Sequence, residues 1–174
     1  MTSLETLKID LHDVQDTPVE VSCTVEDDYF QSLGDVEIQS GRVTATLSIR
    51  KVASGEFALT VGIKGVVTVQ CDLCLDDMEQ EVDNTADFMV RLGHSESIDD
   101  DCIAVDENDE VLDAAWSVYE TIALAIPIKH VHAPGKCNAA MTEKLNELSA
   151  TRSGDGVADG GIDPRWAGLE KLKN

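Results

Sequence analysis

Basic residues are scarce in this chain: 13 Lys and Arg stand against 34 Asp and Glu, for a formal net charge of −21. A surface this negative repels phosphate backbones, which argues against tight, autonomous nucleic-acid binding. Aromatic residues are also few (3 Phe, 2 Tyr and 2 Trp), so interleaved stacking platforms for bases are thin. No apolar run approaches the roughly 20 residues that span a bilayer. The first residues are mixed and acidic, so we expect a soluble chain without a secretory signal. Missing too are Gly-x-Ser-x-Gly, a phosphate-binding glycine loop and His-Glu-x-x-His. An enzyme therefore has no positive support, and we expect no catalytic residue.

What is present suits a globular protein. The chain has 174 residues, 43% of them apolar. That is enough for a real core in one domain, or one domain with a tail, and too much for wholesale disorder. Five cysteines, an odd number without an export signal, suggest reduced thiols in a cytoplasm rather than a disulfide scaffold. The acidity itself serves solubility, or speeds encounter with a basic partner.

Alternation dominates the first half. Leu7, Ile9 and Leu11 alternate weakly and Val19 to Val25 cleanly, each reading as a short strand, and Glu26 to Leu33 can turn helical before Gly34. Val43, Ala45, Leu47 and Ile49 then share one face, and Ser54-Gly55 makes a turn of hairpin length. Phe57, Leu59, Val61, Ile63, Val67, Val69 and Cys71 all fall on odd positions, which predicts one long strand, bent or bulged near Gly62 or Gly65. Past Cys74 the even positions take over, at Val82, Ala86, Phe88, Val90 and Leu92.

From His94 to Glu110 the acids Asp99-Asp100-Asp101 and Asp106-Glu107-Asn108-Asp109-Glu110 read as a solvated loop around a short strand at Ile103 to Val105. A calcium loop is a poor fit, because Val111 stands where the template needs Gly. Leu112, Ala115, Trp116, Tyr119, Ile122, Ala123 and Ile126 recur at helical spacing until Pro127, predicting a helix laid over the sheet. Asn138 can cap a short helix with Met141, Leu145 and Leu148. Asp163-Pro164 opens a terminal helix carrying Trp166, Leu169 and Leu172. The expected fold is α+β: an antiparallel meander of long bent strands, open or barrel-like, covered by a helix and followed by short C-terminal helices. We divide it into a domain at 1–150, a flexible linker at 151–162 and a C-terminal docking helix at 163–174.

One constellation carries chemistry. Cys71 and Cys74, at a tight turn between strands, are half of a tetrahedral zinc site. Cys137 with either His132 or His130 would complete it, and the Pro134-Gly135 turn can present them. The plain alternative is two hairpin cysteines with ordinary surface histidines. A redox dithiol fits less well, since such pairs sit at helix N-termini, and Asp72, Asp76 and Asp77 oppose thiolate formation. Arg165 and Trp166 are candidates for partner contact, with docking of Trp166 on its own core as the competing role.

Three stretches, in order, resemble the YceD family of large-subunit ribosomal RNA accumulation proteins. They are Val67-Thr68-Val69-Gln70-Cys71-Asp72-Leu73-Cys74-Leu75, the Glu120-to-Pro127 helix end, and Asp163-Pro164-Arg165-Trp166-Ala167-Gly168-Leu169-Glu170-Lys171-Leu172-Lys173. The resemblance covers roughly Arg42 to the C-terminus. It departs at Leu73, where the family commonly has Arg, and in keeping only Cys137 where many relatives carry more cysteines. The resemblance implies a non-enzymatic role in accumulation or maturation of large-subunit ribosomal RNA. With the charge, it suggests action on the pre-ribosomal large subunit through a basic ribosomal protein. A zinc-stabilised interaction module without a ribosomal role, and a thiol oxidoreductase, are the alternatives.

Overall fold

The alternating stretches become the three long strands of an antiparallel meander: β3 (Ser40–Ala53), β4 (Glu56–Gln70) and β5 (Asp77–Leu92). The computed structural model describes residues 7–15, 17–34, 37–93 and 102–148. Val43, Ala45, Leu47 and Ile49 of β3 and the odd positions of β4 from Phe57 to Cys71 are all buried, except Gly65. Two shorter strands extend the sheet. β2 (Val19–Val25) pairs antiparallel with β3, and β6 (Cys102–Val105) runs parallel to β5, giving the order β2-β3-β4-β5-β6. The two end strands do not pair with each other, so the sheet is open rather than a barrel.

Of the bend or bulge expected near Gly62 or Gly65, the bulge is absent. Pairing of β4 with β5 runs unbroken from Glu56↔Arg91 to Gln70↔Asp77, and the β3–β4 register shifts only between Lys51 and Ala53. Gly65 is explained by close approach instead: a Cβ there would collide with the Arg42 carbonyl oxygen and the Val43 Cα.

Helices cover one face. α1 (Asp27–Leu33) packs on β3 and buries Tyr29 and Phe30. α2 (Ala115–Ala125) packs on β4 and β5 through Val118, Tyr119 and Ile122. The Tyr29 hydroxyl donates to the Ala115 carbonyl oxygen at 2.8 Å, joining the two helices inside the core. One sequence expectation fails here. Leu112 lies not in the helix but in β7 (Val111–Asp113), which pairs with β1 (Lys8–Asp10) as a separate two-stranded sheet. Trp116 lies in the helix as its spacing predicts, but on the exposed side: it is 62% exposed, with its ring centroid 5.2 Å from that of Tyr119 and the planes tilted by 36°.

The chain divides into two compact units, Met1–Asn138 and Ala139–Asn174. In the second, α3 (Ala139–Leu148) starts one residue after Asn138, with Met141, Leu145 and Leu148 at helical spacing and none of its residues buried. The linker at 151–162 and the helix at 163–174 lie outside the described residues. No helix among the described residues is long and apolar enough to cross a membrane.

Candidate metal centre

Cys71 follows directly on β4 and keeps that strand's inward parity, so its side chain is fully buried. The chain then has to turn into β5. The Leu75 amide donates to the Cys71 carbonyl at 2.9 Å, and the Cys71 amide to the Asp76 carbonyl at 2.9 Å. Leu75 takes a left-handed φ of 61°, which lets the turn close and folds Cys74 back beside Cys71, buried.

The second half comes from the segment after α2. Pro127 ends that helix, and residues 128–138 form no helix or strand. Asp72 brackets this segment. Its amide donates to the His130 carbonyl at 3.0 Å, and its carboxylate accepts from the His130 amide at 2.8 Å. Further along, Pro134-Gly135 reverses the chain. The Lys136 amide donates to the Ala133 carbonyl at 2.9 Å, with Gly135 at φ 81° as the third residue of a type II turn requires. His132 and Cys137 flank that turn and are thereby brought to the cysteine pair.

The outcome is a four-residue cluster: the donor atoms of Cys71, Cys74, His132 and Cys137 all lie within 4.8 Å of one another. Cys71 Sγ is 3.9 Å from Cys137 Sγ, and Cys74 Sγ is 3.3 Å from His132 Nδ1. Donors held about 2.0–2.3 Å from a common tetrahedral ion stand about 3.5–3.8 Å apart; the two close contacts bracket that spacing, and the 4.8 Å bound on the remaining pairs lies about 1 Å above it. Between the two histidines left open by the sequence, His132 joins the cluster. The His130 ring instead donates from Nδ1 to the Pro127 carbonyl at 3.0 Å and sets Nε2 3.7 Å from Asp72 Oδ1. Cys23 and Cys102, on β2 and β6, are half-buried and outside the cluster.

Electrostatics within the cluster are uneven. Burial opposes ionisation of Cys71, but the amides of His132, Cys74 and Leu73 and the His132 side chain donate to its sulfur and outweigh burial, holding the thiol down at about 6. Burial, followed by hydrogen bonds and negative charge from Cys71 and Cys74, pushes Cys137 up to about 11. Such a group accepts one thiolate readily and resists the next unless a cation shares the space. The cysteine pair sits at a turn between two strands, so it lacks the helix N-terminus that activates redox dithiols.

The other candidates fare differently. Arg165 and Trp166 lie outside the described residues, as do Asp99, Asp100 and Asp101. Asp106 closes a tight turn on itself, accepting from the Asn108 amide at 2.8 Å and from its side chain at 2.7 Å, as an exposed turn does. The residue that sequence reasoning missed is Asp72. It looked like an opponent of thiolate formation, and nothing local signalled that it would hold His130 from 58 positions away.

Fold and cluster together define an α+β protein whose sheet hairpin carries a Cys₃His cluster completed from beyond its covering helix. The family model described as Large ribosomal RNA subunit accumulation protein YceD matches residues 59–173, about two thirds of the chain. The chain belongs to that family. The match begins inside β4, later than the Arg42 expected from the motifs, and takes in every residue of the cluster. No curated protein and no solved structure matches the chain.

Proposed function

We propose that this chain is a non-enzymatic factor for accumulation of large-subunit ribosomal RNA, reaching the pre-ribosomal large subunit through a basic protein partner in the cytoplasm. The observation that carries the reading is the family match over residues 59–173. Charge supports the choice of partner. On the face of β5 away from α2, Asp77, Glu79, Glu81, Asp83 and Asp87 are exposed in alternation. At 3.3 Å per residue this row runs about 33 Å. Lys64 answers Asp83 at 2.9 Å, and Thr60 donates to Asp87 at 2.6 Å. A row this acidic attracts lysine- and arginine-rich surfaces and repels bare RNA phosphates. Arg165 and Trp166 are the residues we assign, on sequence alone, to partner contact.

Depletion of the protein, followed by gradient profiling of ribosomal particles and blotting for the tagged chain, tests this. The expected result is a deficit of large subunits, with the protein in pre-subunit fractions at low salt and released at high salt. Joint replacement of Glu79, Glu81 and Asp83 by Lys should slow that association about tenfold or more. A normal profile, with the protein only at the top of the gradient at low salt, would overturn the proposal.

A further inference from the structure

We propose that Cys71, Cys74, His132 and Cys137 bind one Zn²⁺ as a structural centre that fastens residues 127–138 to the β4–β5 turn. The inference does not depend on the ribosomal reading. It rests first on the donors. Three thiol sulfurs and one imidazole nitrogen, all within 4.8 Å of one another, make up a soft tetrahedral set that selects zinc over magnesium or calcium. Four protein donors fill a tetrahedral shell and leave no open position for water or substrate, which marks a structural rather than a catalytic ion.

An independent observation concerns the segment that supplies His132 and Cys137. Residues 127–138 contain no regular structure after α2 and not one buried residue. Ordering such a stretch costs backbone entropy at every position, and no side chain in it repays that cost by burial in the core. Apart from the weak sulfur hydrogen bonds of His132 and Cys137 inside the cluster, what holds it in the structure is the Asp72 bracket on His130, the Pro134-Gly135 turn, and a hydrogen bond from the Asn138 side chain to Asp76 at 3.1 Å. These ties lie on either side of the cluster and orient its donors without themselves closing it. An ion joining Cys71 and Cys74 to His132 and Cys137 supplies the missing cross-link. It connects points some sixty positions apart in the chain, where a cross-link constrains the unfolded state most.

Metal analysis of the purified full-length chain after exhaustive dialysis provides the test, together with X-ray absorption at the zinc edge. Expected are one zinc per chain and a shell of three sulfurs at about 2.3 Å with one nitrogen at about 2.0–2.1 Å. Cys23→Ser should keep full occupancy. Cys137→Ser should lose most of it and increase amide exchange in residues 127–138 while the amides of β3 and β4 stay protected. Should Cys137→Ser prove insoluble, the absorption shell of the unmodified protein decides. A shell of oxygens and nitrogens, full occupancy by another metal, or a folded chain that takes up no added zinc would each overturn the proposal.

Discussion

The β3–β4–β5 meander and the stretch from Pro127 to Asn138 meet at Cys71, yet different forces hold them. In the meander, side chains such as Leu47, Ile49, Leu59 and Val61 are fully buried, and each contributes about 1.5–3 kcal/mol by leaving water. Neighbouring strands are paired along nearly their whole lengths. In the later stretch no residue is buried, and order there costs about 1–2 kcal/mol per residue before any tie is counted. A sheet built on period-two burial can lose one contact and survive. A segment built on a few polar ties and one candidate ion depends on each of them. The comparison thus separates a region stabilised by area from one stabilised by connectivity.

The largest effect should come from breaking the meander. Leu59 is fully buried on β4, opposite Ile49 and Phe88, and Leu59→Ala should cost about 2–5 kcal/mol through lost burial and the cavity left behind. Urea unfolding monitored by far-UV circular dichroism measures it. Sheet and loop signals should disappear in one shifted transition, because the loop has no core of its own. A loss under about 1 kcal/mol would mean that burial in the meander does not carry the stability assigned to it.

How much of this was legible in the sequence follows the same division. The strand faces were readable because alternation is a local signal: β4 keeps its odd positions inward from Phe57 to Cys71. Leu112 was misplaced because its partner across the two-stranded sheet is Ile9 of β1, near the start of the chain, and helical spacing cannot register a pairing that distant. Trp116 fitted the helical stripe, but the stripe is wider than the face that α2 actually buries. Gly65 signalled something real, a close approach of β3 rather than a bulge. At the cluster, Cys71 and Cys74 declared themselves by spacing. The choice of His132 over His130 could not be read, since it turns on Asp72 holding the His130 backbone.

A smaller effect probes polar links inside the core. Tyr29 is fully buried, and its hydroxyl donates to Ala115; Tyr29→Phe should cost about 1 kcal/mol at neutral pH. Burial, followed by the negative charges of Cys23 and Asp113, raises its ionisation well above the ordinary tyrosine value. The folded protein therefore keeps this proton at a pH where the unfolded chain releases it. Stability from this source is complete below about pH 10, the unfolded value, and falls as pH rises beyond it. Unfolding midpoints across that range should show an alkaline decline that is shallower in Tyr29→Phe. Equal slopes would mean that the hydroxyl is not held as described.

The smallest effect tests whether the cysteine turn is as rigid as the sheet that presents it. Leu75 sits at φ 61° with 61% of its surface exposed, so it pays for a left-handed backbone and recovers little by packing. Both Leu75→Gly and Leu75→Ala remove the side chain, but only glycine relieves the backbone. The two variants therefore isolate the conformational term, and glycine should be the more stable by about 0.5–1 kcal/mol. That margin is visible as a difference in urea midpoint at constant slope. If alanine proves equal or better, the turn has relaxed its φ, and the Leu75 amide is free to leave the Cys71 carbonyl. The cysteine pair would then belong with the weakly tied segment rather than with the strand that leads into it. Glycine ahead by the expected margin places the pair on the rigid side of the boundary, with β4 holding two donors fixed while the segment beyond α2 brings the other two.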